Sequence, residues 1–473
     1  MRLSGNKIRL FSGALALSLV FILLRSRTLG HLLMWDEAWN ILSLRAFLAH
    51  AARDPFYWYY KFHPPLYMFF AELLSPFKDG IDLRLEYLSL GFSFGTFLVT
   101  YFLSARIGGW KYAWLAGLVL CMMPLSMGYD TWIKRDSLAM LFGYLALLLI
   151  LDKRFFWCAA ALSFSLLSKE SGFFFVLSCV VLVFILDKKR IFRALMTLFL
   201  TIAVLTGWWY VILSNLSGDV IGFFFSREVY GTTWTKPVFY YLMKLLPDLG
   251  PAMLLLAVIG VFYLAGAAIT RKQPRWAVPM VTALCVYIPI SCIFVTKTPW
   301  LSFSAAPALA MIAGGGALCL WKASRKIRTL FPVFALLIVL SALTGITFSY
   351  RDYHEHTYPN GWPGAIASRE LASYLNGRMK DDDKLLISGF AYWQMPVCPV
   401  FYYYWKPHEV MIMKGKLKPA GVLKKLGEYD FDWLVVTDSP DQDKGQKKEA
   451  QEISRRLKKT PETAGWSYVW KLD

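Results

Sequence analysis

Residues 249–270, LGPAMLLLAVIGVFYLAGAAIT, carry no charged side chain. A helix of that length rises roughly 30 Å, the depth of a bilayer's hydrocarbon core. The stretch is apolar all round rather than on one stripe, so it reads as a membrane span and not as the amphipathic helix of a soluble domain. The same reading extends outward in both directions. Spans are expected near 10–24, 83–103, 112–128, 136–151, 155–168, 170–186, 191–213, 249–270, 276–296, 299–321 and 330–349. The fifth is short for a full crossing.

Composition agrees with about eleven transmembrane helices. Hydrophobic residues make up 57% of the 473 residues and charged residues 18%, and mean hydropathy is +0.44. Soluble domains average ~45–50% apolar and ~25% charged, so lipid must solvate much of this surface. The first span follows Arg2, Lys7 and Arg9 like a signal peptide, but no small-residue cleavage site comes after it.

Charge sets the orientation. With the N-terminus inside, the inner segments hold Arg2, Lys7 and Arg9; Arg106 and Lys111; Lys153 and Arg154; Lys188, Lys189, Arg190 and Arg193; Arg271, Lys272 and Arg275; Lys322, Arg325, Lys326 and Arg328. Only Asp152 and Asp187 oppose them. This positive-inside pattern accounts for the net charge of +19 without a nucleic-acid partner, and no nucleic-acid-binding motif occurs. The expected location is a bacterial inner membrane, with the N-terminus cytoplasmic. Of the 7 cysteines, only Cys398 lies in the C-terminal tail, so the tail holds no internal disulfide.

Three parts face outward. The loop from Arg25 to Asp82 contains two apolar segments, 38–50 and 66–77, that read as helices lying in the interface plane. The loop from Ser214 to Asp248 has a further interfacial candidate at 221–241. The tail alternates expected helices (364–379, 446–458) with strands (384–388, 410–413, 433–437, 468–472), which suggests a small α/β domain. The division expected is 1–350 for the membrane part and 351–473 for an extracytoplasmic α/β domain.

The residues with chemistry lie on that outer side, and each has a bland alternative. In MWDEAWN, Asp36 and Glu37 suit a helix N-terminus; equally, a carboxylate beside a dry surface serves as a general base. In KFHPPLY, Pro64 and Pro65 fix a turn that is either a plain corner or a mount for Lys61 and His63 facing an anion. Arg84 either snorkels or binds phosphate. YDTWIKRDSLAM crowds Asp130, Lys134, Arg135 and Asp136 at a helix entrance, where charges are usually solvated, although an intramembrane carboxylate tends to be functional. Lys297, with Pro299 and Pro307 nearby, is an interfacial anchor or a phosphate cation. Lys169 and Glu170 read as a structural pair.

With these residues in view, the chain resembles the GT-C glycosyltransferases. It is most similar to the branch that holds protein O-mannosyltransferases and lipid A aminoarabinose transferases. The likeness covers residues 1–350. It rests on Asp36-Glu37 after the first helix, HPPLY at His63 to Tyr67, Arg84 at the second helix, and KTPWL at Lys297 to Leu301. The MIR-type domains of eukaryotic protein mannosyltransferases are missing, which argues against protein O-mannosylation.

The resemblance implies an inverting transfer of a monosaccharide from a polyprenyl-phosphate donor to an extracytoplasmic lipid, polysaccharide or protein. It implies that Asp36 is the base, that Glu37 positions it, and that His63 stands near the acidic cluster. Arg84 and Lys297 would hold the lipid phosphate, with Arg135 and Lys61 as further ligands and Asp136, in an outer loop, as a further catalytic acid. Membrane lipids are the remaining partners. No metal-ligand spacing is visible, and metal dependence stays open. The rivals are a lipid or solute transporter, whose inverted repeats are not found, and a non-catalytic scaffold.

Overall fold

The computed structural model describes residues 5–31, 33, 35–49, 64–74, 81–217, 237–270, 272–292, 299–350, 364–380, 382–388, 401, 405, 409–412, 419–437, 446–464 and 467–472. Lys61, His63, Lys297, Cys398 and most of the 221–241 segment lie outside them.

The protein is a polytopic α-helical membrane protein with a small C-terminal sheet. Among the described residues, seven helices are long and apolar enough to cross a membrane and four more are shorter and apolar. Together they match the eleven expected spans one for one. The helices are α1 (Gly5–Ser26), α2 (Trp35–Leu48), α3 (Leu66–Leu73), α4 (Ile81–Gly108), α5 (Trp110–Met122), α6 (Asp136–Leu151), α7 (Phe155–Ser168), α8 (Phe173–Leu186), α9 (Ile191–Ser217), α10 (Tyr240–Leu249), α11 (Pro251–Ile269), α12 (Val278–Cys292), α13 (Ala306–Ser324) and α14 (Phe331–Ser349).

Two spans differ from expectation for a local reason. The third ends at Met122 instead of 128, because Met123 is extended (ψ 121°) before Pro124; the ring of a proline disfavours helix in the residue ahead of it. The tenth opens as a 3₁₀ segment, Pro299–Ala305, and becomes α-helical only at Ala306.

Burial sorts the helices into core and lipid shell. The window containing α13 is 89% buried, whereas those of α9 and α14 are each 17% buried. The centre carries AGGGA (313–317) and packs on α11, α5, α12 and α14. Inside the bundle, polar side chains return to their own helix: Thr96, Thr100 and Ser104 of α4 each donate to the carbonyl four residues back. Those hydroxyls are buried, and an internal acceptor satisfies them. Tyr112 Oη donates to Met311 O at 2.7 Å and ties α5 to α13.

The chain forms two compact units, Met1–Gly30 with Tyr59–Arg351, and His31–Trp58 with Asp352–Asp473. The division expected at 350/351 assigned 31–58 to the membrane part; in the compact units it groups with the C-terminal residues. The second unit contains α2, α15 (Gly364–Asn376), α16 (Pro419–Glu428), α17 (Gln446–Leu457) and strands β1 (Lys384–Ser388), β2 (Glu409–Ile412), β3 (Trp433–Thr437), β4 (Glu462–Ala464) and β5 (Ser467–Lys471). Sheet order is β2-β1-β3-β5-β4, parallel across β2-β1-β3 and antiparallel across β3-β5-β4. Helices α16 and α17 supply Val422, Ala450 and Ile453 to a core with Leu386, Leu434, Val436 and Trp470. Helix α16 and strand β4 were not expected from sequence; β4 is only three residues long.

Candidate functional site

The membrane unit has two chemically opposite ends. The end of α4 bearing Arg106 and the loops bearing Lys153, Lys272 and Arg275 converge at one. At the other lie the turn 123–136, the 3₁₀ segment 299–305 and α10; the last of these packs on the single helical turn Pro124–Met127.

That turn is the most unusual local feature. Every residue from Cys121 to Met140 is buried, including Asp130, Lys134, Arg135 and Asp136. Charges at a helix entrance are usually solvated; here the proline-initiated turn folds them inward, and partners compensate them. The Arg25 guanidinium, fully buried, binds Asp130 Oδ2 at 2.8 Å. It also donates to Ser126 Oγ at 3.0 Å, to Leu120 O at 3.0 Å and to Cys121 O. The last two are carbonyls left open at the C-terminus of α5, where a cation is electrostatically favoured. Burial pushes the Asp130 carboxyl above its usual range, and Arg25 pulls the other way.

Asp136 opens α6, the negative residue that a helix N-terminus favours. Its Oδ2 meets Lys169 Nζ at 2.5 Å, and its buried Oδ1 has no hydrogen-bond partner among the described residues. The sequence paired Lys169 with Glu170; the structure pairs it with Asp136, because the backbone at Lys169 is extended between α7 and the following 3₁₀ turn. Lys134 lies over the Trp132 ring, 4.3 Å from its centroid, and Trp132 meets Tyr129 edge-on at 4.5 Å.

A third acid was missed. Asp248 is buried at the end of α10, 3.2 Å from Lys244 Nζ and 3.2 Å from Ser302 Oγ. Burial raises the Asp248 pKa, with Lys244 opposing, and burial lowers the Lys244 pKa, with Asp248 opposing. The sequence signal was an i,i+4 Lys–Asp pair in a segment read only as the end of a loop.

The remaining expected residues distribute as follows. Arg84 is half-buried in the first turn of α4. Asp36 and Glu37 lie in the first turn of α2, in the second compact unit. Glu37 is buried, and its Oε1 is 2.8 Å from His31 Nε2; His31 was not singled out from sequence, though it stands only six residues away. The Asp36 side chain, Lys61, His63 and Lys297 are outside the description. The structure therefore brings Lys134, Arg135 and Asp136 together on one buried turn, with Lys169 reaching Asp136 from the end of α7. Among the described residues, no three His, Cys, Asp or Glu side chains form a group able to hold a metal ion.

No protein-family model matches the chain, and no curated protein sequence does. Solved structures do. ArnT from Cupriavidus metallidurans bound to undecaprenyl phosphate is similar with a TM-score of 0.65 at 16% identity, over 96% of each chain. An Archaeoglobus fulgidus oligosaccharyltransferase in complex with Zn and sulfate gives 0.60 at 11% identity, over 90% of this chain and 68% of the other. The arabinofuranosyltransferase AftD from Mycobacteria gives 0.52 at 13%, over 92% of this chain and 35% of that much longer one. The chain has the GT-C fold.

Proposed function

We propose that this protein is a membrane glycosyltransferase that transfers a sugar from a polyprenyl-phosphate donor to an acceptor on the membrane face opposite its basic loops. The observation that carries the reading is the buried charged turn, Asp130 to Asp136, at that end of a GT-C fold. Lys134 and Arg135 are buried there, and a water-poor surface strengthens the pull of a cation on an anion. The ArnT likeness, over 96% of both chains, supports a polyprenyl phosphate as that anion.

In the proposed reaction an acceptor hydroxyl or amine attacks the anomeric carbon, and the bond from that carbon to the phosphate oxygen breaks. The electron pair leaves with polyprenyl phosphate, whose charge Arg135 and Lys134 stabilise, with Arg84 and Lys297 as further phosphate contacts. Asp36 takes the acceptor's proton, with Glu37 held by His31 beside it in sequence. A single displacement inverts the sugar. His63 and Lys61 are assigned to substrate binding, and Asp136 keeps Lys169 and its own turn in place.

The test uses protein in nanodiscs with a panel of polyprenyl-phosphate monosaccharides and candidate acceptors. Release of polyprenyl phosphate by the wild type, lost in Asp36→Asn and slowed by a raised KM in Arg135→Gln, is expected. Full activity in Asp36→Asn removes Asp36 as base. Absence of release with every donor and acceptor class from well-folded protein overturns the glycosyltransferase reading.

A further inference from the structure

The basic end of the membrane unit holds a feature that sugar transfer does not use. A cavity of about 400 Å³ opens between the ends of α4, α6, α8, α11 and the 3₁₀ turn before α12. Four cations line it, Arg106, Lys153, Lys272 and Arg275, against two carboxylates, Asp152 and Asp187.

The carboxylates are already engaged. Asp152 Oδ2 accepts from Arg106 at 3.2 Å, and Asp187 Oδ2 lies 3.2 Å from Lys153 Nζ. Arg275 spends one nitrogen on the Arg106 carbonyl at 3.3 Å. Lys272 has no side-chain ion pair or hydrogen bond among the described residues. Positive charge is thus left over in a concave site. Backbone conformation adds to this: Lys153 and Lys272 have φ of 58° and 50°, the left-handed geometry that glycine adopts without strain after a helix. Lysine at both places incurs that strain and puts an ammonium group on the cavity rim.

The deeper wall is apolar, formed by Ile150, Val183 and Leu186. Phe184 and Ile269, on two of the framing helices, are exposed on the lipid-facing surface. A ligand with an anionic head and apolar chains satisfies both halves. The volume is sufficient for a phosphate with a small polar group, and basic pockets between helices at a membrane surface hold anionic head groups.

We infer that this cavity binds the phosphodiester head group of an anionic phospholipid of the leaflet on the basic side. The inference concerns the end opposite the charged turn and stands apart from the proposed reaction.

The full chain is reconstituted in nanodiscs of equal phosphatidylglycerol and phosphatidylcholine, released, and weighed by native mass spectrometry. Wild type is expected to retain phosphatidylglycerol selectively. Lys272→Gln combined with Arg275→Gln should cut that retention roughly thirtyfold, the scale for removing two cations at an anionic surface. Lys322→Gln combined with Arg325→Gln, basic residues outside the cavity lining, should leave it unchanged. Equal loss in both double variants, or none in the first, overturns the site. If millimolar inorganic phosphate displaces the lipid's protection against thermal unfolding and protects equally by itself, the site takes free phosphate and the lipid assignment fails. Matching unfolding temperatures of lipid-free wild type and variants exclude misfolding as the cause.

Discussion

Arg25 shows how one residue fastens three parts of the membrane unit. It ends α1, binds the orphan carbonyls of α5 and neutralises Asp130 on the turn beyond. Removing one partner leaves the other buried and uncompensated, which costs about 3–5 kcal/mol. Arg25→Met and Asp130→Asn should each destabilise strongly, and the double variant by less than their sum, in a thermal-unfolding cycle. Asp248 permits a pH prediction. Its folded pKa is raised by burial, so protonation favours the folded state. That contribution is complete below the unfolded value near ~3.9 and is lost as pH rises through the folded pKa. Wild type should therefore lose unfolding temperature relative to Asp248→Asn as pH is taken upward from about 4; a constant difference across that range would remove the titration. The sequence displayed all these charges but not their pairing. It linked Lys169 with its neighbour Glu170, since chain adjacency was the only proximity visible, whereas the observed partner Asp136 is 33 positions away.

At the scale of elements, helix existence followed from apolar length, and proline chemistry moved two of the ends, at Met123-Pro124 and Pro299. Contact between helices was not legible in that way. Gly260 of α11 and Gly316 of α13 face each other so closely that a Cβ on Gly260 would strike the Ile312 carbonyl oxygen, and one on Gly316 the Leu256 carbonyl oxygen. Small residues allow that approach between helices in lipid, where dispersion and not the hydrophobic effect holds them. Gly316→Val or Gly260→Leu should lower stability by about 1–3 kcal/mol or more, measured by the detergent concentration or temperature of unfolding. Gly266→Ala, with nothing within 4 Å of the new methyl, should be neutral or slightly stabilising.

At the scale of the whole molecule, the basic loops gather at one end of the membrane unit, and the buried acids at the other. We propose from the positive-inside rule that the basic end faces the cytoplasm. In a cysteine-free background, a membrane-impermeant maleimide should label Glu428→Cys in intact spheroplasts and Lys188→Cys only after permeabilisation; the reverse pattern would invert the topology. Sequence by itself determined the spans, the separation of charge and the tail's main strands. Those features follow from solvent: a bilayer requires continuous apolar helix, loops take their charge from the side they face, and a strand buried on both faces reads as an unbroken apolar run such as KLLIS. Only the tertiary structure decided which charges are buried, that Lys169 answers Asp136, that Ser302 meets Asp248, and that three loops and the end of α4 enclose a basic cavity. Each of these depends on side chains from distant segments meeting within a few ångströms, and the cost of burying a charge is set by that meeting and not by the residues adjacent in the chain.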